Sequence, residues 1–111
     1  MNREPLMNGQ VDMLLLAILA RGPGHGYAIV EALRAGSGGA VDLPEGTVYP
    51  ALYRLEAVGL LESRAELVSG RRRRTYRITR AGRAALRQRA ASWDALVRGM
   101  NGILRGDALA G

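Results

Sequence analysis

Apolar residues along this chain recur mostly at helical spacing, and in one interval they alternate as they do in strands. Val11 to Ala20 is almost wholly apolar, which is typical of a helix covered on more than one side. His25 to Ala35 carries an apolar stripe, and the segment from about Glu45 to Val58 carries a narrow apolar arc before Gly59, a natural helix end. The pattern therefore predicts three helices in the first half of the chain.

The second half begins with a predicted β-hairpin. Leu60 to Leu67 and Arg73 to Ile78 are its two strands, and residues 68–70 supply the turn. Alternation places Tyr76 and Ile78 on one face of the second strand. We expect both side chains to belong to the core.

A long final helix follows the hairpin, and Thr79 is a suitable N-cap for it. Its apolar residues follow the heptad seam of a helix that packs lengthwise on another helix. The seam consists of Leu86, Ala90, Trp93, Val97, Met100 and Leu104. Residues 1–8 are expected to form a poorly ordered arm, and residues 105–111 are expected to fray.

This order of elements predicts a mainly α fold with a small β-hairpin. Three helices and a hairpin make a winged helix-turn-helix, in which the third helix is the recognition helix and the hairpin is the wing. We therefore divide the chain into a winged helix-turn-helix domain at residues 1–79 and a C-terminal helix with its tail at residues 80–111.

Charge makes a polyanionic partner the main expectation. The 111-residue chain has a formal net charge of +6, and all of its 16 basic side chains are Arg. From Leu67 to Trp93 there are nine Arg and no Asp or Glu. A run of charge alone is more often a solvated face, but here it lies on a predicted wing, which favours double-stranded DNA. Arg offers a planar fork of donors that suits phosphate and guanine.

The candidate DNA contacts lie on the recognition helix and on the wing. Tyr and Thr hydroxyls can bond phosphate, and Arg54 can reach phosphate or a guanine edge, but the sequence does not say which side chains read bases. For Tyr49 the alternative role is packing beneath the wing, and both roles are compatible. The candidates are Thr47, Tyr49, Pro50, Tyr53 and Arg54 on the helix, and Arg71, Arg72, Arg73 and Arg74 on the wing.

Several other function classes are not expected. The chain has no Cys, which excludes disulfides and thiolate chemistry, and its lone His25 has no neighbouring ligands that would indicate a metal site. We interpret His25 as a helix-start residue and Tyr27 as a core residue. No nucleophile–base pair and no phosphate-cradling glycine loop is visible, so we expect neither an enzyme nor a cofactor. The apolar run Leu14 to Ala20 is about a third of the ~20 residues that span a bilayer, so we expect no membrane partner.

Four segments resemble the PadR family of bacterial transcriptional regulators, over about residues 9 to 100. The most specific is Gly46-Thr47-Val48-Tyr49-Pro50-Ala51-Leu52-Tyr53-Arg54-Leu55-Glu56 with Gly59-Leu60-Leu61. The opening helix with its His25-Gly26-Tyr27 segment, the wing from Gly70 to Thr79, and Arg80-Ala81-Gly82 also resemble the family. Arg72 is a departure, because the family often has Pro there.

The absence of Cys fits a cytoplasmic protein, which is the location we expect. The resemblance implies a homodimer that binds a pseudo-palindromic operator and usually represses a nearby gene. The heptad seam would then be the dimer interface. The short C-terminus is similar to the subclass with a single dimerisation helix, whose members bind planar compounds between subunits. A planar aromatic effector would accordingly lie at Trp93, with Asp94 and Met100 nearby. The alternatives are that Trp93 is an anchor in the interface core and that Asp94, which would balance a cationic ligand, simply faces solvent.

Three other functions remain open at this point. The first is a DNA-binding regulator without a small effector. The second is a winged helix used as a protein-interaction module, and the third is an architectural DNA-binding protein. Binding that is insensitive to salt would indicate the interaction module, and equal affinity for all duplexes would indicate the architectural protein.

Overall fold

The computed structural model describes residues 6–106. The helices are α1 (Asn8–Ala20), α2 (Gly26–Gly36), α3 (Glu45–Ala57) and α4 (Arg80–Leu104), and the strands are β1 (Gly24–His25), β2 (Leu61–Val68) and β3 (Arg71–Ile78). This order confirms the predicted fold class and adds the short strand β1. The expectations for residues 1–5 and 107–111 lie outside the described residues.

The strands form one antiparallel sheet in the order β1-β3-β2. Leu61 pairs with Ile78 and Val68 pairs with Arg71, so only Ser69 and Gly70 remain in the turn. Both have positive φ, 52° and 77°, which is the conformation of a type I′ hairpin turn. Strand β3 therefore begins at Arg71 and not at Arg73 as predicted, and all four wing arginines lie within it.

The core lies where α1 is covered by α2, α3 and the sheet. Tyr76 and Ile78 are buried, as predicted, whereas Tyr27 is 58% exposed and the prediction that it belongs to the core was wrong. Tyr27 is the second residue of α2 and faces the wing side of the domain instead of α1. The buried apolar side chains are Val11, Leu15, Leu16, Leu19, Ile29, Leu33, Val48, Ala51, Leu52, Leu55, Leu61, Tyr76 and Ile78.

Helix α4 begins tightly against the domain and then leaves it. The Thr79 hydroxyl accepts a hydrogen bond from the Gly82 amide at 3.0 Å, as expected of the N-cap. A Cβ at Gly82 would overlap the Leu60 carbonyl oxygen, so glycine permits this close approach. Farther along, Leu96, Ile103 and Leu104 are exposed. Within residues 6–106, no helix is long and apolar enough to cross a membrane.

Candidate nucleic-acid interface

Helix α3 turns its apolar arc inward and leaves a continuous outer side. Thr47, Pro50 and Tyr53 are exposed on that outer side. Pro50 is the sixth residue of α3, which begins at Glu45 as predicted. Because proline has no backbone N–H, the Gly46 carbonyl oxygen loses its hydrogen bond within the helix. Pro50 is exposed, so water can replace that bond.

Tyr49 joins the recognition helix to the start of α2. Its ring lies so close to Gly26 that a Cβ at that position would overlap the ring. Tyr49 is half-buried, and its other side lines an open notch. Tyr49 therefore packs against the start of α2. Its position beside the notch is also compatible with a contact to DNA.

The notch is a space of about 380 Å³ between the start of α2, helix α3 and strand β3. All four tyrosines of the chain line it, two of them on α3. Burial raises the pKa of the Tyr76 hydroxyl, so this group stays protonated and able to donate. The complete lining is His25, Gly26, Tyr27, Tyr49, Tyr53, Arg72, Arg73, Arg74 and Tyr76. A pocket of hydroxyl and guanidinium donors is suited to phosphate oxygens.

His25 connects the wing to α2. Its Nδ1 lies 3.4 Å from the Ala28 amide nitrogen, at the N-cap position predicted for it, and its Nε2 lies 2.9 Å from Nη1 of Arg73. Both neighbours are donors, and a neutral imidazole has only one accepting nitrogen. The shorter contact favours Nε2 as the acceptor. Sequence reasoning found the helix start but missed the Arg73 contact, because the two residues are 48 positions apart.

The remaining wing arginines differ in their surroundings. Arg71 and Arg72 are exposed, and neither makes an ion pair with another residue in the 6–106 range. Arg74 Nη1 donates to the Ser63 hydroxyl at 3.0 Å, and that hydroxyl donates to a Glu56 carboxylate oxygen at 2.6 Å. This relay fixes the base of the wing to α3.

Arg54 also lies on the outer side of α3, and its side chain is 44% exposed. A step of 100° per residue places it between Thr47 and Pro50 around α3, at the edge of the outer side that is nearer α1. There its guanidinium is ion-paired with Asp12, a contact that sequence reasoning missed, and DNA contact by Arg54 stays a prediction. Asp12 is 42 residues away in the chain, and helical periodicity carries no signal of such a contact.

The heptad seam of α4 divides into two parts. Leu86 packs against the chain's own core, and Ala90 and Val97 are half-buried. Trp93 is 39% exposed, and Met100 and Leu104 are more so. The apolar surface available for another helix therefore lies mainly in the second half of α4.

Trp93 also lines a groove between α1 and α4, with a volume of about 690 Å³. The residues of this α1/α4 groove are Met7, Gly9, Gln10, Met13, Gln88, Arg89, Ser92, Trp93 and Leu96. Asp94 and Met100, which were grouped with Trp93 as effector positions, are not among them. In the part of the chain that is described, no three His, Cys, Asp or Glu side chains come together as metal ligands would.

Comparisons with known proteins agree with this architecture. The family model described as "Transcriptional regulator PadR-like family" matches residues 15–88. Transcriptional regulator Rv3488 from Mycobacterium tuberculosis is 55% identical over 53 residues, which are 48% of this chain and about half, 50%, of that relative's length.

Two solved structures are informative. A PadR family transcriptional regulator from Eggerthella lenta is 36% identical, with a TM-score of 0.76 over 86% of this chain and 82% of that one. Bacillus subtilis PadR, solved in complex with operator DNA, has a TM-score of 0.65 over 70% of this chain and 45% of that one, and at 22% identity this shows a shared fold.

Proposed function

Because the chain belongs to the PadR-like family of transcriptional regulators, which are not enzymes, we propose that it binds a specific DNA sequence as a homodimeric repressor. The observation that carries the proposal is the notch, where the wing arginines and four tyrosines meet beside the exposed side of α3. Bacillus subtilis PadR, whose fold is similar, was solved on operator DNA.

In this proposal α3 enters the major groove and the wing follows the backbone. The exposed Thr47, Pro50 and Tyr53 face the base edges and the flanking phosphates. Arg71 and Arg72 contact phosphate from the tip of the wing, and the tyrosine hydroxyls hold a phosphate at the notch. Arg54 lies on the same side of α3 and contacts phosphate, while its ion pair with Asp12 orients its side chain.

The dimer forms through α4. Its exposed apolar side chains include Trp93, Met100 and Leu104, and a second copy would cover them. Residues 1–79 then act as the DNA-binding unit, and residues 80–111 as the dimerisation helix and tail. A two-fold dimer brings two recognition helices into successive major grooves, about one helical turn apart, so the operator is pseudo-palindromic.

A planar effector binds in the α1/α4 groove against Trp93 and releases the repressor. The volume of about 690 Å³ lies within the range of small-molecule sites. Asp94 does not line the groove, so it gives no support for a cationic ligand.

The proposal is tested by titrating the protein onto a labelled duplex from its own upstream region, with a scrambled duplex as the control. Measurements at about 50 and 200 mM salt show how much of the affinity comes from contacts with DNA phosphates, because that part falls steeply as the salt concentration rises. We expect tight, salt-dependent binding to the upstream duplex alone. Absence of binding to both duplexes at the lower salt concentration would contradict a DNA-binding function.

A further inference from the structure

Both ring nitrogens of His25 face hydrogen-bond donors of the protein itself. Nε2 lies 2.9 Å from Nη1 of Arg73, and Nδ1 lies 3.4 Å from the Ala28 amide nitrogen. With the tautomer assigned from the shorter contact, the Arg73 guanidinium donates to Nε2 and the ring proton is on Nδ1. Because both nitrogens are engaged within the protein, the half-buried ring acts on a ligand through Arg73.

The sheet brings Arg73 to His25 instead of to an acidic side chain. His25 of β1 pairs with Thr75, and Arg73 lies two residues along β3 on the same face. Glu66 of β2 is directly opposite Arg73, but its Oε2 accepts a hydrogen bond from the Thr75 hydroxyl at 3.0 Å. Within residues 6–106 Arg73 makes no ion pair, and its guanidinium donates to His25.

The surroundings of His25 are positively charged. Over residues 6–106, no carboxylate lines the notch. The acids of neighbouring strands and helices, Glu66 and Glu56, accept hydrogen bonds from the hydroxyls of Thr75 and Ser63. The titratable and charged groups that line the notch with His25 are Tyr27 of α2, Tyr49 and Tyr53 of α3, and Arg72, Arg73, Arg74 and Tyr76 of β3.

Protonation of His25 would reverse its contact with Arg73. A histidine ring changes charge between about pH 8 and about pH 5. Once protonated, Nε2 carries a hydrogen that points at the Arg73 donor, and two positive charges adjoin. The hydrogen bond that holds Arg73 in the notch is then replaced by repulsion.

We propose that neutral His25 is a positioning residue that holds the Arg73 guanidinium in the notch for a DNA phosphate, and that protonation of His25 releases Arg73 and weakens DNA binding. This rests on the proposed function, in which the notch holds a phosphate. One N–H of the guanidinium points to His25, and the others remain for phosphate oxygens. A side chain that is fixed in advance loses less conformational freedom when DNA binds.

Two effects of protonation oppose each other, and their magnitudes decide the direction. The added positive charge attracts the DNA backbone, but a single charge behind Arg73, in water and salt, changes the affinity by only about a few-fold. Loss of a positioned, charge-assisted hydrogen bond changes the affinity by about tenfold or more. The affinity for DNA should therefore fall as the pH falls, which is opposite to the effect of added positive charge alone.

The effect on DNA binding is tested with the full chain and a rhodamine-labelled form of the duplex that it binds most tightly. Anisotropy titrations at constant salt compare about pH 7.5 with about pH 5.5. His25 is the single histidine of the chain, and the ordinary pKa values of the other side chains lie outside this interval. We expect the affinity to be about tenfold lower at the lower pH.

Two substitutions of His25 separate its contact with Arg73 from its charge. His25→Asn retains a good N-cap for α2 but is too short to reach Arg73, so it should bind weakly at both pH values. His25→Gln places an amide oxygen near the position of Nε2, which accepts a hydrogen bond at both pH values. This variant should bind tightly at both, and thermal unfolding verifies that each variant is folded.

Two substitutions on the wing test whether His25 acts through Arg73. Arg73→Gln should abolish the pH dependence, because the side chain that His25 positions is gone. Arg71→Gln removes the same charge from an exposed position of β3, so it should lower the affinity and keep the pH dependence. An affinity of the unsubstituted protein that is constant, or that rises as the pH falls, would overturn the proposal. A pH dependence retained by folded Arg73→Gln would overturn it as well.

The contact itself is tested in the free protein by ¹H–¹⁵N NMR spectroscopy. The Nε–H resonance of Arg73, identified by its loss in Arg73→Gln, should shift between the two pH values and stay in place in His25→Asn. A resonance that does not move in the unsubstituted protein would overturn the hold of His25 on Arg73. A protein that binds no duplex would contradict the proposed function, whereas the NMR spectra would still decide whether His25 holds Arg73, so the two failures are distinguishable.

Discussion

The contacts that shape the candidate interface are made by residues far apart in the chain. Gly26 permits Tyr49 to lie against the start of α2, and His25 holds Arg73 of the wing. The sequence motif identified Tyr49 and the arginines as candidates, but it did not show that these contacts connect α2 to both DNA-binding elements. Helical and strand periodicities describe which face a residue occupies, and they are silent on its partner in another element.

Gly26→Ala tests the role of the Tyr49 position. The added Cβ overlaps the Tyr49 ring and forces it toward the notch. We expect the affinity for operator DNA to fall about tenfold, with a loss of about 1–3 kcal/mol in the free energy of unfolding from overpacking. DNA titration and denaturant unfolding measure the two effects separately. In a Tyr49→Ala background the same substitution should cause little further loss, and equal losses in both backgrounds would contradict the proposed contact.

Arg72→Gln tests a phosphate contact at the wing. Arg72 is exposed and makes no ion pair within the described range, so its loss should leave the fold intact. The slope of log affinity against log salt should become shallower by about 0.9. Arg98→Gln, an exposed position far along α4, is the control for the lost charge and should leave the slope unchanged. An unchanged slope in Arg72→Gln would place this side chain outside the interface.

The elements themselves were largely predictable. The apolar arc predicted α3, and Gly59 predicted where that helix ends. In the structure α3 ends at Ala57, and Gly59 has a positive φ of 81°. Strand β1 was missed because two residues are too few to establish a period. The second strand was predicted to begin at Arg73, but the tight Ser69-Gly70 turn allows Arg71 and Arg72 to pair within β3 as well.

Two glycines of α4 give a matched test of how that helix is joined to the domain. Gly82→Ala places a Cβ onto the Leu60 carbonyl oxygen, which belongs to rigid backbone. We expect it to lower the free energy of unfolding by about 2 kcal/mol or more. Gly99→Ala meets nothing within 4 Å and should raise the free energy by about 0.5–1 kcal/mol through helix propensity. Denaturant unfolding measures both, and two substitutions with the same sign would contradict the packing at Gly82.

At the scale of the whole molecule, the single chain is elongated. Its extents are 61, 35 and 20 Å, because α4 continues past the core that its first turns help to close. The heptad spacing predicted a helix with surplus apolar surface, and the exposure of Trp93, Met100 and Leu104 agrees with it. The sequence could not show which residues of the seam are free to contact a second copy, because it does not reveal that Leu86 already packs against the chain's own core.

Val97→Asp tests whether this surface forms the dimer. A carboxylate on the seam would have to be desolvated against a partner helix, so we expect the variant to be monomeric at micromolar concentration and to lose most of its affinity for the operator. Ala95→Asp adds the same charge on the opposite, exposed side of α4 and should remain dimeric. Light scattering after size exclusion measures both masses. A Val97→Asp variant that keeps the mass of a dimer would contradict dimerisation through α4.

The most direct test of the central claim is selection of bound duplexes from a random pool, which works without a known operator sequence. If α3 and the wing of a two-fold dimer read DNA, the enriched sequences should be pseudo-palindromic, with half-site centres about 10 bp or one helical turn apart. Enrichment should decline in the Tyr53→Ala variant, since Tyr53 lies exposed on the recognition helix. A pool that shows no enriched sequence, or one whose enriched sites have no two-fold symmetry, would contradict the claim.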